Sequence, residues 1–304
     1  MDRASVDFIR SVLPRGRTLY YYYRDHYAVY LIRNWMGDQP ARVQDLKRSP
    51  VASLLNKPRL RPFLAAAGDG WLYPEDLEFF WPEDTRAYRL SLGVWPHLDD
   101  ACELDWDQVT REGRNLVLQL NMNSTHKRDL QRLLPDWKRF AQVDFHPVAQ
   151  GEELTLAWSR IDLDLDRGEA LIEEIQSDWV RDVRWYADAE HSDRHQLWSA
   201  YQRRAFQMER NCWAELMLSA TLWFLHQELG IHTLFYHRHE SGAKFKGIEQ
   251  DPPPRSLYTR VPEQFCFRIT HNGPSFIRDS LSGERLRLFC DPETQWYVLN
   301  LKAS

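Results

Sequence analysis

The sequence predicts an α+β protein: a helical N-terminal region over residues 1–85, then a mixed, largely antiparallel sheet with one central βαβ unit over residues 86–304. Three observations lead there. In the first 85 residues apolar side chains recur at helical spacing, as in Val6, Ile9 and Val12-Leu13, and again in Tyr20, Tyr23, Tyr27, Tyr30-Leu31 and Trp35. From about residue 86 the period shortens to the alternation of strands. A long stretch at 205–229 carries one wide apolar stripe through Phe206, Trp213, Leu216-Met217, Ala220 and Trp223-Phe224, the mark of a helix lying on a core.

Each element follows from local chemistry. Gly37 stops the tyrosine-rich helix, Pro50, Pro58 and Pro62 cut residues 40–67 into short helical pieces, and Gly68-Asp69-Gly70 closes that stretch. Strands are expected at 88–92, at 115–121 with Leu116, Leu118 and Leu120 on one face, at 153–162 with Leu154, Leu156 and Trp158 on one side, and at 170–178. A helix-compatible stretch, 127–140, separates the second from the third. Residues 180–202 have no clear period and read as helix or lid. Gly230 ends the central helix as a left-handed cap. Beyond it, 231–236, 264–269, 285–289 and 296–301 read as strands, the last three antiparallel.

Composition excludes several classes. With 43% hydrophobic and 13% aromatic residues, the 304-residue chain has enough apolar surface to offset the entropy of ordering. No stretch approaches the roughly 18 apolar residues of a membrane span, and the first residues lack a signal-peptide core, so a soluble, cytoplasmic protein without a membrane partner is expected. Cys102, Cys212, Cys266 and Cys290 are far apart, which indicates neither a zinc knuckle nor a disulfide framework. A net charge of −5 argues against a dedicated duplex binder. Yet 32 of the 39 basic residues are Arg and the chain has 13 Trp, so a local surface for a nucleotide or nucleic acid stays open, with the N-terminal run Lys57-Pro58-Arg59-Leu60-Arg61 as its contact. A composition bias of the genome, or a solvated helix end, explains the same residues.

Chemistry is expected at two strand ends. In Leu171-Ile172-Glu173-Glu174-Ile175-Gln176-Ser177-Asp178-Trp179, five of the six residues from 173 to 178 are polar, unlike an ordinary buried strand. With Leu171 and Ile175 facing the core, Glu174, Gln176 and Asp178 line up outward together, suited to a general base with an orienting partner or to a metal. A strand at 170–178, the central helix and a strand at 231–236 form a βαβ unit, and ligands bind beyond the carboxyl ends of such strands. Those ends are 174–178 and 237–240. Glu174, Gln176, Asp178 and His237 are therefore the candidate catalytic residues, and Trp179, Lys244, Arg255 and Tyr258 the candidate substrate contacts, the last two on a proline-stiffened lid after Pro252-Pro253-Pro254. His237 and His239, two apart on an extended segment, with Asp178, are the candidate metal set. The P-loop, Rossmann, zincin and α/β-hydrolase motifs do not occur.

The octapeptide from Ile172 to Trp179 resembles the IEEIQSDW run of an uncharacterised domain in the large polyvalent proteins of phages and mobile elements, with Trp213, Glu215 and Leu216 matching the W-x-E-L that opens its next helix. The likeness covers roughly residues 115–240. The segment between Trp179 and Trp213, and the histidines at 237 and 239, depart from it. The order of elements is also similar to that of acyltransferases, which hold an acyl-CoA between two splayed parallel strands. That acyltransferase-like topology implies a group-transfer enzyme using acyl-CoA, although no glycine between Gly168 and Gly230 offers the usual pyrophosphate turn. Two alternatives remain at this stage: a non-catalytic nucleic-acid or protein interaction module of phage or mobile-element origin, and a metal-dependent hydrolase or nuclease using a divalent ion.

Overall fold

A computed structural model describes residues 1–12, 18–96, 108–141, 146–149, 151–189, 194–250 and 252–302. Leu13 and Cys102 lie outside the described residues. Among the described residues ten strands form one mixed eight-stranded sheet and one two-stranded ribbon. They are β1 (Thr18–Tyr22), β2 (Ala41–Arg42), β3 (Trp71–Leu72), β4 (Arg86–Trp95), β5 (Asn115–Asn121), β6 (Thr155–Asp164), β7 (Glu169–Gln176), β8 (Thr233–His237), β9 (Arg268–Thr270) and β10 (Trp296–Asn300). The large sheet has the order β1-β4-β5-β6-β7-β8-β10-β9, and β2 pairs with β3. The chain divides into two compact units: Met1–Tyr20, Ala87–Asp162 and Ile172–Thr221 form the first, and Tyr21–Arg86, Leu163–Leu171 and Leu222–Ser304 the second.

In the first unit β5 is the organising strand. All seven of its residues are buried, so it is covered on both faces. It pairs antiparallel with β4 and β6 in a register that sets Leu90 and Leu92 beside Leu120 and Leu118, on the predicted leucine face. Its opposite face is polar. There Ser91, Gln119 and Trp158 align across three strands, as do Gly93, Val117 and Arg160 in the next row. Buried polar groups must be satisfied. The Ser91 hydroxyl donates to the Gln119 carbonyl oxygen at 2.7 Å, the Gln119 amide donates to the Pro147 carbonyl at 2.9 Å, and the Asn121 amide donates to Ser91 at 2.7 Å. Gly93 makes room for them, since a Cβ there would stand 3.0 Å from the Gln119 amide nitrogen.

In the second unit β10 lies between β8 and β9, antiparallel to both. Its Trp296 is fully buried with Leu171, Phe235, Phe245, Phe276, Ile277 and Phe289. The central helix runs over Gln207–Trp223 and continues as a π-helix over Phe224–Glu228. The widened turn seats His226, whose Nε2–H donates to the Lys302 carbonyl at 2.7 Å while Nδ1 accepts from the Tyr30 hydroxyl at 2.5 Å.

Several sequence expectations are corrected. The tyrosine run is not one helix: Tyr20 and Tyr22 are buried and Leu19 and Tyr21 exposed along β1, and the helix starts only at His26, after Asp25 in left-handed geometry with φ 64°. The N-terminal 85 residues thus carry β1, β2 and β3 as well as helices. Residues 285–289 lie in a helix, Gly283–Cys290, and the strand expected at 264–269 is reduced to β9, because Arg260–Gln264 is helical. Residues 180–202 contain two helices, Asp178–Asp188 and His195–Arg204, so Asp178 begins a helix and does not end a strand.

Candidate active site around Asp178

The site lies where β7 passes into the helix Asp178–Asp188. Ser177 is the cap: its side-chain oxygen accepts the Val180 N–H at 3.1 Å, and its hydroxyl donates to the Leu156 carbonyl, tying the turn to β6. Asp178 takes the first helical position, where a carboxylate is favoured by the helix dipole. Only 3% of it is exposed. Its Oδ1 accepts from His146 Nδ1–H, from the Gln176 amide and from the Arg181 guanidinium, each at 2.7 Å, and its Oδ2 accepts from the Trp158 indole at 2.9 Å. Burial pushes the Asp178 carboxyl up, but the hydrogen bonds and charges of His146, with Trp158 and Arg181, outweigh it and hold the carboxyl below its ordinary value. Asp182, one turn further along the helix, goes the other way, raised chiefly by burial.

His146 is the group this carboxylate organises. Its Nδ1 faces Asp178, so the neutral ring carries its proton there and presents a lone pair at Nε2. Among the described residues none hydrogen-bonds Nε2, and 29% of the side chain is exposed. Its ring lies 5.8 Å from that of Trp158.

Beside the dyad, Arg160 of β6 and Glu174 of β7 form a buried ion pair at 2.5 Å. The same guanidinium donates to the Gln108 carbonyl at 3.2 Å and lies over the Trp95 ring, 5.4 Å from its centre. Glu174 therefore does not point outward, as the strand pattern suggested. It is 6% exposed, and β7 is covered on both faces, with Glu173 on the other face binding the Thr110 amide and hydroxyl at 3.0 and 2.7 Å.

Trp179 is also placed differently from expectation. It is 3% exposed, and its indole donates to the Tyr201 hydroxyl at 3.0 Å, which contacts His126 Nε2 at 2.8 Å. Trp179 anchors the helix to its neighbours, and its ring is buried among them.

The remaining expected residues belong to the second unit. His237 ends β8, fully buried against the Trp296 and Phe245 rings at 5.0 and 6.1 Å. His239 is not on the extended segment; it begins the helix His239–Lys246, and its Nε2–H donates to the Pro253 carbonyl at 3.1 Å. Among the described residues no group of three or more His, Cys, Asp and Glu is arranged to hold a metal ion, and with His237 buried on β8 and His239 on a helix the expected pair on one extended segment is not formed. Lys244 is exposed, Arg255 is paired with Glu240 at 2.6 Å, and Tyr258 is buried with its hydroxyl 3.2 Å from Lys246 Nζ.

Of the expected residues, Gln176 and Asp178 are joined directly, with Glu174 locked nearby. Sequence reasoning missed His146, Trp158 and Arg160. Trp158 and Arg160 were legible in principle, because strand alternation sets them on one face of β6. His146 lies in an irregular stretch that carried no signal.

No family model, no curated protein and no solved structure matches this chain. Among the described residues no helix is long and apolar enough to cross a membrane.

Proposed function

We propose that this chain is a group-transfer enzyme, acyltransferase-like, in which His146 is the general base and Asp178 orients it. The observation that carries the reading is the 2.7 Å contact between His146 Nδ1 and a buried carboxylate, on a histidine whose side chain is 29% exposed. A nucleophilic amine or hydroxyl gives its proton to Nε2 as its N or O bonds to the acyl carbon of the donor, and the thiolate leaves. Asp178 stabilises the imidazolium that results, a contribution of about 10²–10⁴ in rate for a well-placed base. Gln176 and Trp158 hold the carboxylate in place. Glu174 keeps Arg160 fixed beside it. The α+β architecture is compatible with this reading, and acyl-CoA is the donor class to try first. A metal-dependent hydrolase has less support, since among the described residues no group of three or more His, Cys, Asp and Glu is arranged to hold a metal ion.

The test is thiol release from a panel of acyl-CoA donors with pooled amine acceptors. Wild-type protein should release thiol with at least one donor, and His146→Ala should lower that rate by about 10²-fold or more with the melting midpoint kept. Release at the same rate from His146→Ala, or none from wild type with any donor, would contradict the assignment.

A further inference from the structure

The second unit carries an exposed surface that the proposed chemistry does not use. Over residues 73–84 the chain reads Tyr-Pro-Glu-Asp-Leu-Glu-Phe-Phe-Trp-Pro-Glu-Asp, with five carboxylates and no basic residue. Three of its aromatic rings face solvent: Phe79 is 78% exposed, Trp81 63% and Tyr73 43%. Tyr21, 42% exposed, extends the surface, with its ring 5.0 Å from that of Trp81 in an edge contact. Rings of this size left in water together, on one short segment, mark a contact surface more often than chance exposure does.

The segment is anchored from beneath. Leu77 is 3% exposed, and Phe80 packs edge-on against Tyr23 at 5.3 Å and Phe63 at 4.8 Å. The outward rings therefore sit on a fixed base.

Charge decides what fits there. Arg59 pairs with Asp84, and Arg33 reaches Glu78 at 3.6 Å. Among the described residues no cation pairs with Glu75, Asp76 or Glu83, all exposed. The Tyr73 phenol is raised chiefly by the charge of Asp69 and its hydrogen bond, with burial and then Asp76 adding to it. Exposed aromatic faces among unneutralised carboxylates attract ammonium and guanidinium groups twice, through the ring quadrupole and through the charge. They repel the phosphates of nucleic acid and of anionic lipid.

We propose that residues 73–84, together with Tyr21, dock a lysine- and arginine-rich segment of a partner protein. The aliphatic stems of its side chains lie on Phe79 and Trp81, and their charged ends reach Glu75, Asp76 and Glu83.

The experiment uses the full chain and a fluorescein-labelled short peptide of alternating Arg, Lys and Ser, read by anisotropy at low and moderate salt. A glutamate-rich peptide of equal length, a single-stranded oligonucleotide and anionic vesicles are run beside it. The basic peptide should bind and the other three should not. Phe79→Ser with Trp81→Ser, and separately Glu75→Gln with Asp76→Asn and Glu83→Gln, should each weaken binding about tenfold or more. All five positions are exposed, so far-ultraviolet circular dichroism should be unchanged. Peptide binding that survives loss of the two rings, or preferential binding of the oligonucleotide or vesicles, overturns the proposal.

Discussion

Asp178 shows how much one side chain carries when four donors converge on it. Asp178→Ala leaves the Trp158 indole and the Gln176 amide facing a void, so the loss should be about 3 kcal/mol in urea denaturation. Asp178→Asn should cost less, since it keeps the volume and one acceptor. Because the folded carboxyl lies below its ordinary value, its contribution is present above that value of about 4 and disappears as acid takes the pH down through the folded one. Arg160 and Glu174 give a second test. Each single truncation strands a buried charge and should cost about 3–5 kcal/mol, whereas Arg160→Met with Glu174→Leu should recover most of that loss. A double-mutant cycle that is additive would contradict the pairing. His26 adds a pH dependence. Burial lowers its value to about 4, so it is stable as the neutral ring above the ordinary range near 6.5, and stability should decline as the pH falls from there toward 4. His26→Phe should flatten that part of the curve.

At the scale of elements, two glycines reveal where backbones and rings meet. An alanine replacing a glycine inside a helix ordinarily stabilises by about 1 kcal/mol. Gly242 is helical, yet a Cβ there would stand 2.8 Å from the His237 Cβ, so Gly242→Ala should destabilise, with a lower thermal midpoint. Gly168 has φ 62°, and its Cβ would meet the His232 ring at 2.6 Å, which adds a contact to the conformational strain. Most elements were legible where one period dominated. β5 and β10 stand where alternation set them, and the central helix where its apolar stripe did. Errors arose where two periods fit the same residues. The tyrosine run satisfies both helix and strand spacing, and the left-handed Asp25 that separates them is decided by the packing of Tyr20 and Tyr22. Ser177-Asp178 could prolong a strand or cap a helix, and the capping hydrogen bond to Val180 decides it.

For the whole molecule, the −5 net charge is an average that conceals its distribution. Residues 73–84 alone hold five carboxylates, whereas in β7 Glu174 is paired with Arg160 and Glu173 is hydrogen-bonded to Thr110 inside the protein. Half of the candidate site was readable from the chain, because Glu174, Gln176 and Asp178 are close in sequence, at the end of β7 and the start of the helix that follows it. The other half comes from register and loop placement: β6 brings Trp158 and Arg160 across, and a loop brings His146 from 32 residues away. Alternation sets Trp158 and Arg160 on one face of β6, but local pattern does not say which strand or loop meets that face. The orientation of His146 by Asp178 is tested most directly by the ring tautomer, read from long-range nitrogen–proton correlations of labelled protein near neutral pH. The neutral ring should carry its proton on Nδ1 and leave Nε2 bare, and Asp178→Asn should disturb that preference. A ring protonated on Nε2, or one indifferent to Asp178→Asn, would contradict the dyad.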